Sequence, residues 1–249
     1  MADLATTLLR GRKLLAALRS PLGRRALSSR VAATIEHMDL LRTLAPASIV
    51  DVGANRGQFA LAALYAVPGV RLVCFEPGRR AYETLRRTVG DHPRVRTVKA
   101  AIAEQAGELV LNVTEADDSS SLLPVGEAQA ELFGTRVAAH ETIEAGPLDA
   151  FVAAAELEAP ALLKVDVQGF ERGVIAGASS RLACFRWVYI ESSFIELYVG
   201  QMLAPELVTV MEAAGFELAG VFNQVGSRQI PAIQADFLFA RRDRGGEGT

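Results

Sequence analysis

Ile49-Val50-Asp51-Val52-Gly53-Ala54-Asn55-Arg56-Gly57-Gln58-Phe59 runs from an apolar segment through a glycine-bearing turn into a second apolar segment. From Ala47 to Val52 the chain has the length and near-continuous apolarity of a strand buried on both faces, the habit of parallel sheets. Gly53 and Gly57 let the backbone turn tightly and approach a ligand. Asn55 tolerates left-handed dihedrals nearly as well. Phe59 to Ala66 then reads as a short helix, stopped before Pro68-Gly69. Strand, tight turn and helix make the first half of a βαβ unit.

The same alternation extends outward. Val70 to Phe75 reads as a second buried strand, Arg79 to Val89 as a charged helix, and Val95 to Lys99 as a third strand. Alternation over Glu108 to Val113 predicts a strand solvated on one face. Glu115 to Ser121 reads as a polar loop. Residues 125–147 give little pattern beyond one strand around Arg136 to Ile143. A helix is expected from Leu148 to about Leu157, a buried strand over Ala161 to Asp166, and a helix over Glu171 to Ala178. Trp187 to Glu191 reads as a strand, Pro205 to Ala214 as a helix, and Phe216 to Phe222 with Ala235 to Ala240 as a closing pair. On the N-terminal side, Ser28 or Ser29 is placed to cap a helix carrying Val31, Ile35, Met38, Leu41 and Leu44, ended by Pro46. The pattern predicts one α/β domain, doubly wound around a mostly parallel sheet.

Composition agrees with one such domain. The chain has 249 residues, half of them hydrophobic, enough to bury a sizeable core. The net charge of −3 is too mild to point to nucleic acid. Cys74 and Cys184 are the two cysteines, each within an apolar run, as expected of free thiols in a reducing cytoplasm. No apolar run is long enough to cross a bilayer. Residues 1–30 carry seven basic side chains against Asp3 alone, a charge of +6, leaving −9 on the rest. Leucines between those arginines make the arm amphipathic. Such an arm suits peripheral contact with anionic lipid at the inner membrane face, or with a lipid-linked substrate. Alternatively it packs its leucines on the domain or on a second copy in a homodimer.

Ligands of doubly wound sheets bind beyond the carboxyl ends of the strands. Asp51, Glu76, Asp166 and Glu191 each stand at one of those ends, and four acids there would converge on one crevice. The turn after Asp51 narrows the ligand. A dinucleotide fingerprint counted from Gly53 would need glycines where Asn55 and Gln58 stand. A Gly-Lys-Ser/Thr phosphate loop is absent. Asp51 suits a cationic amino group, as on a methionine moiety, and would repel a phosphate. Glu76, at the next strand end, suits the two hydroxyls of a ribose. These features favour S-adenosyl-L-methionine, with another class of nucleotide as the competitor.

Four blocks resemble the FkbM-type methyltransferases: Ile49 to Phe59, Phe75-Glu76-Pro77, Leu163-Lys164-Val165-Asp166-Val167-Gln168-Gly169-Phe170-Glu171, and Tyr189-Ile190-Glu191. Asp118 to Leu122 and Leu148 to Phe151 are similar as well. The family commonly has an acid where Gln168 stands. The resemblance implies a single Rossmann-like class I methyltransferase domain over residues 46–240. It would follow a basic helical arm over 1–45 and precede a disordered tail over 241–249. It implies S-adenosylmethionine held by Asp51, Gly53, Ala54, Asn55, Gly57, Gln58, Phe59, Glu76 and Pro77. Ala101 and Ile102 would line the adenine, and Ser121 would belong to a lid. It further implies transfer to a hydroxyl of a sugar in a glycolipid or glycan, or of a polyketide-type secondary metabolite.

Such a transfer places an oxygen in line with an electrophilic carbon and removes the hydroxyl proton. Asp166 and Glu191, the strand-end acids left over from the cofactor, are the candidates. Either serves as general base, the two together hold a divalent metal, or both brace loops. His140 is a further candidate base, and His37 and His92 are placed on helix and loop surface. No Pro-Pro-aromatic signature and no Pro-Cys pair occurs, so the usual patterns of DNA amino- and cytosine-methylation are missing. A non-catalytic cofactor-binding scaffold is the alternative from another class.

Overall fold

The apolar run becomes β1 (Ser48–Val52), all five of its residues buried. It lies at the centre of a sheet, paired in parallel with β2 (Arg71–Phe75) on one side and β7 (Ala161–Val165) on the other. β3 (Val95–Val98) continues the parallel set beyond β2, and β8 (Phe185–Ser193) beyond β7. β9 (Phe216–Val225) and β10 (Gln234–Arg241) close the sheet, with β10 antiparallel to both β8 and β9. The order is β3-β2-β1-β7-β8-β10-β9, so β10 alone runs against the others. Strand order reverses between β1 and β7, and a ligand crevice belongs there. This is the doubly wound, mostly parallel arrangement that the alternating pattern predicts. The computed structural model describes residues 21–227 and 229–242. Of the arm expected over 1–45, residues 1–20 lie outside the described residues, as do residues 243–249 of the tail expected over 241–249.

Helices cover both faces of the sheet. α1 (Pro21–Ser28), α2 (Met38–Leu44), α3 (Gln58–Ala66) and α4 (Arg79–Val89) lie on one. There Leu41, Phe59, Leu61 and Leu85 pack with Ile49, Leu72, Leu162 and Tyr189. α5 (Glu127–Phe133) stands outside both cores. α6 (Leu148–Phe151), α7 (Glu171–Gly177) and α8 (Ala204–Ala213) lie on the other face, where Val174, Leu207 and Met211 pack with Val50, Phe75, Leu163 and Val188. Each fully buried residue of that size contributes about 1.5–3 kcal/mol. Both faces being dry explains why β1 and β7 read as apolar runs interrupted only by Ser48, Asp51 and Lys164.

Several elements depart from the sequence reading. Of the helix expected from Ser28 to Leu44 only the second half forms, and a helix not read from the sequence precedes it. α1 ends at Ser28, Arg30 turns left-handed at φ 56°, and a 3₁₀ turn over Ile35–His37 leads into α2. A left-handed arginine cannot sit inside a right-handed helix, and the break drops Thr34 and His37 onto the sheet. α1 itself lies along α4, with Ala26 buried and Arg25 paired to Asp91 at 2.8 Å. The helix expected over 148–157 is one turn, α6, then a 3₁₀ turn over Ala154–Glu156. Residues 125–147 resolve into α5 and the long strand β6 (Val137–Gly146). β6 pairs with β5 (Gly107–Thr114) and with the two-residue β4 (Ala101–Ile102), forming a second sheet that periodicity did not separate from the first.

Candidate active site

At the C-terminal end of β1 the chain folds back over β2. Gly53 and Ala54 both donate their amides to the Phe75 carbonyl, at 3.0 and 2.9 Å. Gly53 adopts φ +83°, and a Cβ there would lie 1.8 Å from the Asp166 carbonyl oxygen. Only glycine lets this turn pass so close to the end of β7. Asn55 takes φ 46°, and its amide donates to Glu76 Oε2 at 2.9 Å, while the Gly78 amide donates to Oε1 at 2.9 Å. Glu76 is thereby aimed by two backbone groups from two different turns.

The turn opens onto a cavity. Gly53, Ala54, Asn55, Gln58, Phe59, Glu76, Pro77, Ala101, Ile102, Ser121 and Asp166 all line it, from five separate segments of the chain. Gly57, Asp51 and Glu191 are not among its lining residues. Gly57 caps α3 at φ 94°. Asp51 lies inside β1, fully buried, opposite Lys164 of β7. Neither of its carboxylate oxygens has a partner among the described residues. Burial pushes the Asp51 carboxyl up to about 6 against the opposing pull of Lys164, and pushes Glu76 up to about 7 against its two amide bonds. Ser121 is tied down. It exchanges backbone bonds with Asn112, and its hydroxyl donates to the Gln168 carbonyl at 2.6 Å.

Asp166 and Glu191 are brought together by a residue between them. Gln168, held left-handed at φ 53°, donates its amide nitrogen toward Asp166 Oδ1 at 2.8 Å and Glu191 Oε2 at 3.0 Å. Lys164 Nζ stands 2.9 Å from Asp166 Oδ2. Burial opposes charge on Asp166, but the Lys164 ammonium and the bond from Gln168 hold its carboxyl below the ordinary range. Burial and the neighbouring Asp166 charge push Glu191 well up. Gln234 occupies the remaining Glu191 oxygen, Oε1, at 2.8 Å. Among the described residues no three His, Cys, Asp or Glu side chains converge as a metal-ligand group. An ammonium and an amide already hold Asp166, and this donor set does not fit a divalent ion.

Lys164 and His37 are among the cavity residues that the sequence did not single out. Lys164 is a buried cation 5.6 Å from the Phe59 ring centre. Burial alone would lower its pKa, but Asp166, Asp51 and Asp236 outweigh that and keep it charged. His37, expected on a helix surface, faces the cavity instead and is bonded to Tyr189. His140 is exposed on β6 opposite Asn112 and does not reach the cavity. A buried polar residue inside an apolar run, as in Leu162-Leu163-Lys164-Val165, was the available signal for Lys164.

The cavity suits a ligand with a ribose and a cationic amino acid. Glu76 presents a carboxylate at one end, the buried Asn55 Oδ1 has no partner among the described residues, and Asp51, behind the turn and opposite Lys164, has no hydrogen bond there on either oxygen. Ala101, Ile102 and Leu111 offer an apolar wall for a flat ring.

Comparison with known proteins gives the same direction. A family model described as the methyltransferase FkbM domain matches residues 51–218. The 2-O-methyltransferase NoeI of Sinorhizobium fredii (strain NBRC 101917 / NGR234) is 32% identical over 181 residues, covering 70% of this chain and 74% of that protein. Methyltransferase sdnD of Sordaria araneosa is 25% identical over 194 residues, covering 68% and 73%. Among solved structures, an uncharacterised protein of Listeria monocytogenes serotype 4b matches in fold with a TM-score of 0.50 at 8% identity, over 86% of this chain and 70% of that one.

Proposed function

Because this chain belongs to the FkbM methyltransferase family and is an S-adenosylmethionine-dependent methyltransferase, we propose that it methylates a hydroxyl oxygen. The acceptor hydroxyl belongs to a sugar of a glycolipid or glycan, or to a polyketide-type secondary metabolite. The observation that carries this reading is the relationship to a 2-O-methyltransferase over most of both chains. The chemistry of the cavity supports it, since carboxylates, amides and hydroxyls line it without a basic surface that would draw a polyanion.

Bound S-adenosylmethionine supplies a methyl carbon on a sulfonium, already electrophilic. The chain's own residues have to hold, orient and deprotonate. Glu76 takes the ribose hydroxyls, Gly53 to Asn55 present backbone to the amino-acid end, and Ala101 with Ile102 flank the ring. Asp166 keeps its charge and orients the acceptor from the end of β7. It is a poor base because Lys164 and Gln168 already share its oxygens. Glu191, behind Gln168 and occupied on both oxygens, fixes that turn.

We place the reaction in the cytoplasm, in keeping with the unpaired thiols of Cys74 and Cys184. Among the described residues no helix is long and apolar enough to cross a membrane. The basic segment 1–30 gives a reason to test lipid-linked acceptors first. The deciding experiment compares glycolipids, glycans and secondary metabolites of a deletion strain and its parent by mass spectrometry. One pool should lose the mass of a single methylene. Pools that all keep their methyl groups would favour a non-catalytic cofactor-binding scaffold.

A further inference from the structure

We propose that His37 is the general base of this transfer, fixed as its Nδ1–H tautomer by a buried relay through Tyr189 to Asp236. Thr34, on the same wall, receives the same acceptor hydroxyl. This rests on the O-methyl reading above and adds to it the residue that removes the proton.

The relay is built from four segments distant in sequence. His37 Nδ1 lies 3.1 Å from Tyr189 Oη, and Tyr189 Oη donates to Asp236 Oδ2 at 3.0 Å. Asn223 Nδ2 stands 2.8 Å from Asp236 Oδ2, 3.1 Å from Tyr189 Oη and 3.2 Å from His37 Nδ1. Phe59 and Tyr189 meet the imidazole ring edge-on at 5.4 and 5.6 Å between centres, which fixes its plane. Tyr189 and Asp236 are themselves buried.

Counting protons selects the tautomer. With a proton on Nδ1, His37 donates to Tyr189, Tyr189 donates to Asp236, and the two hydrogens of Asn223 go to Asp236 and Tyr189. All four bonds use distances the structure shows. With the proton on Nε2, Nδ1 must accept either from the Tyr189 hydroxyl, which then leaves Asp236 without that donor, or from Asn223, which then leaves Tyr189, so one contact of the network always sets two acceptors against each other. The Asp236 carboxylate, 3.9 Å from Nδ1, favours a proton on that side too. A network with every donor matched, anchored on the buried Tyr189 and Asp236 and closed at the surface by Asn223, specifies its arrangement strongly.

Nε2 is then left with a lone pair. It has no partner among the described residues, and His37 lines the cavity. Thr34, which lines the cavity three residues earlier, has a buried hydroxyl with no partner. Two unmet polar groups on one wall are a place for one hydroxyl, which can donate to Nε2 and accept from Thr34 Oγ1. As the acceptor oxygen bonds to the methyl carbon, the S–C bond breaks and its electron pair passes to sulfur. The hydroxyl proton passes to Nε2, and the imidazolium so formed is balanced through Tyr189 by Asp236.

The groups facing His37 act in opposite directions. Burial lowers its pKa, Asp236 opposes, Lys164 lowers it further, and Glu36 and Asp166 raise it less. The net direction is downward, so the ring is neutral and able to accept a proton at pH 7.

The test begins without acceptor. The chain has three histidines, His37, His92 and His140, so ¹⁵N-histidine labelling gives few signals, and His37→Gln assigns one of them. Long-range ¹H–¹⁵N spectra at pH 7.5 should show His37 neutral and protonated on Nδ1. Asp236→Asn or Tyr189→Phe should mix the tautomers. An Nε2–H or doubly protonated His37 in the unmodified protein overturns the proposal. With S-adenosylmethionine and a glycolipid and glycan extract of the deletion strain, His37→Gln should lower kcat by about 10²–10⁴-fold. Its calorimetric cofactor affinity should stay within about twofold, whereas a merely structural role would lower both together. Tyr189→Phe keeps the ring packing, and should move the acidic limb of the kcat profile while leaving cofactor affinity alone. Unchanged turnover in His37→Gln overturns the proposal. An unmodified protein that transfers no methyl to oxygen, yet shows the Nδ1–H tautomer, overturns the O-methyl reading instead.

Discussion

The Gln168 amide nitrogen stands 3.0 Å from Glu191 Oε2 while also reaching Asp166, so a neutral donor separates two half-buried acids. The Lys164 ammonium holds the Asp166 carboxyl below the ordinary range, while burial and the Asp166 charge push Glu191 up.

Gln168→Ala removes that donor without changing backbone demands, since both residues meet the same cost at positive φ. The loss of stability should be about 1–3 kcal/mol, the usual cost of stranding buried polar groups. Urea unfolding of the variant beside the unmodified protein measures that loss, and unchanged stability would contradict the bridging role of Gln168.

Gly53→Ala sets a methyl group against the Asp166 carbonyl in a conformation that alanine disfavours. Moving the turn away from β7 would pull Asn55 off Glu76. The variant should lose about 2–4 kcal/mol of stability and all measurable cofactor binding. Thermal unfolding and calorimetry together check both losses.

Glu76 titrates at about 7 in the ligand-free protein, raised by burial. Its stabilising effect is therefore present at low pH and lost as pH rises through about 7. Ribose hydroxyls donate better to the ionised carboxylate, so cofactor binding should gain strength between pH 6 and pH 8. Glu76→Gln should weaken S-adenosylmethionine by about 10–100-fold, equivalent to about 1.4–2.7 kcal/mol, and should flatten that pH dependence. Calorimetric Kd values across this range test it. A Kd independent of pH in the unmodified protein would remove Glu76 from the ribose contact.

The parts of the fold that a short window can carry were legible. β1, its turn and α3 follow from residues 47–66 alone, because burial on both faces leaves a near-continuous apolar run. The second sheet was not, because β4 has two residues and β6 has one solvated face over much of its length. Within the site, the turn and Glu76 could be read from spacing, and the cavity places them together. Asp51 and Glu191 occupy positions inside their strands rather than past the ends, so their side chains lie behind the cavity wall. The His37, Tyr189, Asn223 and Asp236 relay has no spacing at all. Its members meet only because the chain breaks at Arg30 and because β10 runs antiparallel between β8 and β9. Two of them left a sign, Tyr189 and Asp236 being polar groups in strands that are otherwise largely dry, whereas Asn223 sits on the exposed edge strand and His37 in a 3₁₀ turn.

The central claim is transfer of a methyl group from S-adenosylmethionine to oxygen. Its most direct test supplies the purified protein with ¹³C-methyl-labelled S-adenosylmethionine and the glycolipid, glycan and secondary-metabolite fractions of the deletion strain. Carbon–proton correlation spectra then show where the label has gone. The account predicts labelled methyl ether carbons, attached through oxygen, together with S-adenosylhomocysteine in equal amount. Label on nitrogen or carbon, or cofactor binding without any transfer in every fraction, would contradict it.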